Sequence, residues 1–357
     1  MRFHLVSLPH TQTTSEFCAC AFTEKVRKFS IMMMSLGHAV YLYSGDKNEA
    51  PCTEHITCMS EAERLALCGG QHYSAAPFDG SNPYWRAFNL RAVEAIKQRA
   101  HPRDFICVIG GHANKAIADA LPEMMTVEFG IGYGGTFSQY RVFESYAWMH
   151  ACYGAAHNSP NDIDGKYFDA VIPGYFEVEK FAVAKKRKDY FLYIGRVTDR
   201  KGVKIAADTC RHIGARLIIA GTGADYPDYG ERVGHVGEAE RNYLMAHARA
   251  VFVPTIYVEP FGNVAVEAQA CGTPVISTDW GAMTETVAHG VTGFRCRTLK
   301  EFVQATSKVA NLDPAKIRRH AVNNYSLPVI ARQYDTHFRR LLQLWGQGWY
   351  EMGEIDG

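Results

Sequence analysis

Apolar positions along this chain fall into short runs of strand length that alternate with longer stretches at helical spacing. Residues 3–8 and 38–43 are two such runs. Between them Phe22, Val26, Phe29, Met33 and Leu36 recur at steps of four and three, the spacing of one buried helix face. Gly37 closes that helix. The same reading predicts a helix over 83–100 with Trp85, Phe88, Val93 and Ile96 inward. It then predicts a strand over 105–109 ending in Gly110-Gly111-His112, a helix over 114–121 and a strand over 126–129. A glycine-rich loop at 130–135, a helix over 138–149 and a short strand over 169–172 complete the first half. Residues 49–81 mix Pro, Gly, Cys and charge with weak periodicity, and are expected to be irregular apart from one short helix.

The pattern restarts at a strand over 190–194. A helix over 201–213 follows, with Val203, Ala206, Ala207 and Cys210 on one face. Strands are predicted over 216–220, 251–253 and 274–277, and helices over 238–248, from Gly262 onward, over 299–311 and over 314–323. From Pro328 a long amphipathic helix lines up Ile330, Tyr334, Phe338, Leu341 and Trp345. Strand–helix–strand repeats of this kind imply an α/β fold: two Rossmann-like, doubly wound parallel sheets with helices on both faces. The expected organisation is an N-terminal domain over 1–175, a linker over 176–189, a C-terminal domain over 190–325, and a terminal helical segment over 326–357. The linker contains Lys185-Lys186-Arg187-Lys188, a basic run read as solvated chain rather than a binding site.

A length of 357 residues suits two domains, each able to bury its own core. The 38 basic and 37 acidic residues balance, so no broad field draws the chain to nucleic acid or a membrane surface. A local groove for a polymeric acceptor and a peripheral membrane contact both stay open. Ten cysteines occur without any CxxC pair, several inside apolar runs, and are read as reduced thiols. No window holds 18 consecutive apolar residues, and residues 2–8 are too short for a signal peptide. The expected location is the cytoplasm.

The chemistry concentrates in VPTIYVEPFGNVAVE, residues 253–267. Glu259 and Glu267 flank Pro260-Phe261-Gly262, a turn that opens a helix whose apolar positions are Val264, Ala265, Ala268 and Cys271. The helix N-terminus offers free N–H groups and a positive dipole end beside two acids. That combination suits a ligand with an anionic middle and hydroxyls at both ends, such as a nucleotide sugar. Some sixty residues earlier, GRVTDRKG (195–202) sets Arg196 and Lys201 around a loop that Asp199 can cap, a place for a diphosphate.

EPFGNVAVE resembles the two-glutamate signature of the retaining glycosyltransferases of family four, and GRVTDRKG resembles that family's diphosphate-binding stretch. The resemblance implies the GT-B fold, with two facing Rossmann-like domains and a last helix that packs back on the first. It implies that Glu259 and the backbone of Pro260, Phe261, Gly262 and Asn263 bind the donor sugar, and that Glu267 takes the ribose hydroxyls. By position, Gly195, Gly221, Gly223 and Val236 lie where the family's nucleotide rests. Glu259, Arg196, Lys201 and His112, the polar residue after the 105–109 strand, would carry catalysis. Many members have a glycine-rich loop after the first strand. Residues 9–15 offer Thr11 and Thr13 instead, and these, with Glu128, are the acceptor-side candidates.

The expected activity is metal-independent transfer of a hexose or related sugar, with retention, from a UDP- or GDP-sugar to an acceptor hydroxyl on a glycan, lipid, small molecule or modified nucleic acid. No further cofactor is expected. Two alternatives stay open: a non-catalytic sugar-nucleotide sensor of the same fold, and a nicotinamide-dependent oxidoreductase. The latter lacks G-x-G-x-x-G after either first strand.

Overall fold

The computed structural model describes residues 1–157, 159, 161 and 163–344. The chain forms two compact units. The first comprises Met1–Glu144, His157–Tyr175 and the chain from Ile330. The second comprises Ser145–Ala156 and Phe176–Val329.

The first unit is built on a seven-stranded parallel sheet. Its strands are β1 (Arg2–Val6), β2 (Ala39–Gly45), β3 (Glu54–Met59), β4 (Phe105–Val108), β5 (Met125–Ile131), β6 (Tyr140–Phe143) and β7 (Ala170–Val171). The order is β3-β2-β1-β4-β5-β6-β7, so the direction of winding reverses beside β1. Helices α1 (Ala21–Ser35), α2 (Glu61–Cys68), α3 (Pro83–Lys97) and α4 (Lys115–Ala120) belong to this unit. Strands β4 and β5 are buried along their whole length, as expected for central parallel strands covered on both faces.

The second unit holds a six-stranded parallel sheet in the order β10-β9-β8-β11-β12-β13. Its strands are β8 (Phe191–Ile194), β9 (Leu217–Ala220), β10 (Glu231–Gly234), β11 (Val251–Val253), β12 (Val275–Thr278) and β13 (Gly293–Cys296). With them are α5 (Tyr146–Ala156), α6 (Val203–His212), α7 (Glu238–His247), α8 (Asn263–Ala270), α9 (Met283–Thr286), α10 (Leu299–Lys308) and α11 (Pro314–Tyr325). Helix α12 (Leu327–Gln343) starts in this unit and continues into the first. Two parallel-sheet α/β units are what the hydrophobic pattern predicts.

Several local expectations differ. Residues 49–81 contain β3 as well as α2. The strand lies at the sheet edge in the pattern exposed, half-buried, half-buried, exposed, buried, buried, which erases its alternation. Helix α2 opens with a reciprocal capping box between Ser60 and Glu63. The helix expected over 138–149 is in fact β6 followed by α5. Tyr140, Val142 and Phe143 favour a pleated surface, and the sheet takes up their burial. The helix begins only after Ser145, whose hydroxyl accepts from Trp148 N at 3.1 Å. Strands β10 and β13 were not expected; both are four-residue edge strands, too short to show a period.

Within residues 176–189, Lys185, Lys186 and Lys188 are exposed, as the basic run suggests, but the start of the segment is packed. Phe176, Val178 and Phe181 are buried in the second unit's core, and Phe176 N donates to Tyr325 O at 2.8 Å. Arg187, from the basic run, donates to the carbonyls of Ala248 and Gly272 at 3.0 and 2.6 Å. A guanidinium satisfying backbone acceptors is a structural clamp, not a phosphate ligand.

Helix α12 completes the first unit's core. Phe338 is fully buried against Phe3, Phe29 and Phe105, with ring centroids 4.7, 6.1 and 4.8 Å away. His38 at the start of the β2 approach bonds Asp335 at 2.8 Å. Trp345, expected on the same stripe, lies outside the described residues.

Two predictions follow from this core. Phe338→Ala should lower the stability of the first unit by about 3–5 kcal/mol, since it removes a ring from a closely packed aromatic cluster. Urea unfolding of the variant beside the parent checks it, and an unchanged midpoint would contradict the packing described. The second concerns acid. His10 and His337 are both buried, and burial, aided by the neighbouring charges of Arg64 and Arg340 respectively, lowers each from 6.5 to about 4. Between pH 6.5 and 4 the unfolded chain therefore binds protons that the folded chain does not, and stability must fall as pH falls through that window. Each ring should contribute about 3 kcal/mol to the loss by pH 4. Melting temperatures measured from pH 7 to 4.5 should decline, and less steeply in His337→Gln.

Candidate functional site

In the second unit the candidate residues gather at the C-terminal ends of β8, β9 and β11 and at the start of α8. Ligands bind beyond this edge in open parallel sheets. The loop after β8 runs Gly195-Arg196-Val197 and lies directly against the loop after β9. Val197 N donates to Thr222 O at 2.9 Å, and Val197 bridges Gly223. Gly221 has φ +141°, and a Cβ there would run into the carbonyl oxygen of Gly195. Only glycine permits this approach of backbone to backbone. Gly221 and Gly223 are thus first of all packing residues, whatever else they touch. Val236, in the turn after β10, is 9% exposed.

Lys201 precedes α6 and reaches Glu259, with Nζ 3.0 and 2.7 Å from its two carboxylate oxygens. The ring of Tyr257 lies beneath this pair: Lys201 Nζ stands 5.0 Å and the Arg200 guanidinium 4.9 Å from its centroid. Burial and the charge of Glu259 raise the Tyr257 phenol above its ordinary range. The same two causes act on Tyr193, whose hydroxyl donates to Arg196 O at 2.7 Å. Both phenols therefore stay protonated and neutral around the carboxylate. Arg196 is exposed.

Glu259 is held from behind by the loop after β12, where Ala282 N donates to its carbonyl at 3.2 Å. The chain then turns through Pro260, Phe261 and Gly262. Phe261 is 3% exposed and packs on Phe176 and Tyr325. Pro260 O accepts from the Ser145 hydroxyl at 2.6 Å. Gly262, at φ +87°, is the N-cap of α8, and a Cβ there would meet the Met283 methyl. Asn263 is the first helical residue, and Glu267 follows on the buried face.

Glu267 is 7% exposed. One of its oxygens lies 3.2 Å from Arg241, a residue of α7, while Oε2 has no hydrogen-bond partner among the described residues. A buried carboxylate oxygen without a donor costs on the order of 1–3 kcal/mol, more when charged. An ionised carboxylate oxygen can accept hydrogen bonds and cannot donate one.

The first unit's candidates fare differently. Thr11 and Thr13 are fully buried. Thr11 Oγ1 pairs with Thr23 Oγ1 at 2.6 Å, and Thr13 bonds Ser7 at 3.4 Å and pairs with the 47–49 segment through its backbone. They close the 9–15 loop rather than face a ligand, which corrects the acceptor-side expectation. Glu128 is likewise fully buried. Its carboxylate accepts from Phe137 N and Ser138 N at 2.8 Å and from the Tyr133 hydroxyl at 3.2 Å. Burial outweighs those donors and raises its pKa. Glu128 anchors the glycine-rich loop. His112 is exposed in the turn after β4, and its N–H donates to Gly135 O at 3.2 Å.

Sequence reasoning missed Tyr257, Arg241, Ser145 and Glu285. The Glu285 carboxylate accepts from Tyr146 N and Ala147 N at 2.9 Å and so caps α5. Ser145 and Glu285 are 140 positions apart and left no local signal. Tyr257 had one, an aromatic two residues before the first acid. Among the described residues no group of three His, Cys, Asp or Glu is arranged to hold a metal ion. No helix is long and apolar enough to cross a membrane.

Residues 188–311, which contain this whole second-unit cluster apart from Ser145, match the family model for glycosyl transferases group 1. The match is to this segment of the chain. Over 149 residues it is 35% identical to a glycogen synthase of Mycobacterium tuberculosis, a match covering 36% of this chain and 36% of that protein. The chain thus matches about a third of the length of that curated relative. Solved structures resemble the chain over nearly its full length. A glycosyltransferase involved in avilamycin A biosynthesis aligns with TM-score 0.66 and 20% identity over 96% of this chain and 98% of that one. The Anabaena protein HepE, in complex with UDP and glucose, aligns with TM-score 0.65 and 15% identity over 95% and 100%. At such identities the likeness is one of fold, and the fold is GT-B.

One prediction tests the backbone packing. Gly221→Ala should destabilise the second unit by about 2 kcal/mol or more, because both its φ and the Gly195 carbonyl oppose a side chain. Gly237→Ala, where a Cβ meets open space, should cost less than about 1 kcal/mol. Urea unfolding of the two variants compares them, and equal losses would refute the argument.

Proposed function

We propose that the protein transfers a hexose or related sugar from a nucleotide-diphosphate sugar to an acceptor hydroxyl, with retention of the anomeric configuration and without a metal. The observation that carries this reading is Glu267: a buried carboxylate, half unpartnered, on the helix that Glu259 and a left-handed glycine introduce. Its free oxygen suits the ribose hydroxyls. Arg196 and Lys201, with the open N–H groups of α8, supply positive charge for the diphosphate. Glu259 and the backbone at Phe261-Gly262 suit the sugar hydroxyls. Lys201 would exchange some of its hold on Glu259 for the phosphates when a donor arrives, which frees that carboxylate for the sugar.

In the reaction the C1–O bond to the β-phosphate breaks, and the acceptor oxygen bonds C1 on the same face. The acceptor proton passes to a leaving phosphate oxygen, so no protein nucleophile is required. Arg196 and Lys201 offset the charge that develops on the leaving group. His112 is the proposed polar catalytic residue of the first unit. A uridine nucleotide is favoured over guanosine because a protein of the same fold, HepE, is described with UDP and glucose bound. The acceptor reading retains a hydroxyl nucleophile but no longer rests on Thr11, Thr13 or Glu128.

Thermal-shift screening against UDP-, GDP- and ADP-sugars identifies the donor, since a ligand of the folded state raises the midpoint by mass action. With that donor, Glu267→Ala should weaken binding by roughly 10-fold or more, the loss of charge-assisted hydrogen bonds worth about 1.5–3 kcal/mol. Proton NMR of early product should show the donor's own anomeric configuration. An inverted product would refute the retaining reading, and binding without turnover on a broad acceptor panel would favour a sensor.

A further inference from the structure

Arg241 has no role in the reading so far, yet among the described residues it is the cation paired with Glu267. It lies on the first turn of α7, four residues after Gly237, and its N–H donates to Gly237 O at 2.9 Å. A helix N-terminus disfavours positive charge. The side chain therefore sits against its local preference, and the compensating interaction is across to α8: Nη2 stands 3.2 Å from Glu267 Oε1. Glu267 itself is almost fully buried, and Arg241 is about one-third exposed along its side chain. The guanidinium Nε is buried without a partner among the described residues. The pair is therefore an incomplete one. One carboxylate oxygen is fixed by Arg241, and the other, Oε2, has no donor.

We propose that Arg241 is a positioning residue that makes the site selective for ribonucleotides, a proposal that rests on the nucleotide-sugar reading above. By occupying Oε1 it leaves a single carboxylate oxygen, Oε2, directed at a ribose, and it prevents the carboxylate from rotating to satisfy both oxygens elsewhere. It also ties the turn over Gly234–Gly237, in the region where the base is expected, to the helix that meets the ribose. A nucleotide lacking the 2′-hydroxyl then leaves a buried charged acceptor less satisfied, and the site rejects it. Polar sites built around a hydroxyl discriminate strongly against analogues that lack it, because the group left behind stays unpaired.

The test uses the full-length protein and four probes: UDP, GDP and their 2′-deoxy counterparts, with binding measured by isothermal titration calorimetry. Wild type should bind one ribonucleotide about 10-fold or more tighter than its 2′-deoxy form. Arg241→Gln should retain the melting temperature within a few degrees, weaken the ribonucleotide, and bring the two affinities together. Arg241→Lys, which keeps the charge, should restore part of the preference. A purely structural ion pair would move the melting temperature or weaken both nucleotides equally, and would leave their ratio intact. An unchanged ratio in Arg241→Gln overturns the proposal while the donor reading stands. A wild type that binds none of the four, nor ADP, overturns both.

Discussion

The candidate site depends on one steric constraint: two loops of the second unit touch backbone to backbone. The loop after β8 can carry Arg196 and Lys201 at the sheet's edge only because the neighbouring loop offers Gly221 and Gly223 without side chains. A side chain on either glycine would push Gly195 and Val197 away and displace both cations together. The second constraint is of the same kind. Gly262 adopts a left-handed conformation with the Met283 methyl against it, and this turns the chain from Glu259 into α8. Geometry set by the absence of atoms thus fixes where the charged groups stand.

On that frame the charges are arranged unequally. Lys201 and Glu259 satisfy each other over the face of Tyr257, and the neutral phenols of Tyr193 and Tyr257 surround the carboxylate. Glu267 is left short of a donor. A buried, half-satisfied carboxylate lowers the stability of the empty protein, and a natural chain tolerates that where a ligand completes the network. The contrast with Glu128 is instructive. That carboxylate is equally buried, but two backbone N–H groups and a phenol meet it, so it stabilises a loop and has nothing left to offer a ligand.

How far all this was legible follows from the range of each signal. The two parallel-sheet units could be read because central strands such as β4 and β5 are short continuous apolar runs, and α1 and α12 keep a regular stripe. Edge strands β3, β10 and β13 could not, since one exposed flank removes the period. β6 reads as helix in the sequence because its four residues, Tyr140–Phe143, are too few to show a period of their own. At the site, Glu259, Glu267, Arg196 and Lys201 stood out through spacing and a family resemblance. Thr11, Thr13 and Glu128 were misplaced for one reason: position at a strand's C-terminal end does not reveal whether neighbouring loops have already claimed the side chain. Arg241 was hidden by distance, twenty-six residues from the acid it meets, although a cation on the first turn of a helix is a local oddity.

The chain's path between its units has a consequence for how the molecule is made. The first unit is assembled from three separate stretches, and Ser145–Ala156 leaves it to join the second before the chain returns. Its core closes only when Tyr334 and Phe338 arrive against Phe3, Phe29 and Phe105. In chain order, all of the second unit, Ser145–Ala156 and Phe176–Val329, is synthesised before the residues that close the first unit's core. A chain cut shortly before α12 would leave the earlier-made unit, not the later one, without part of its core.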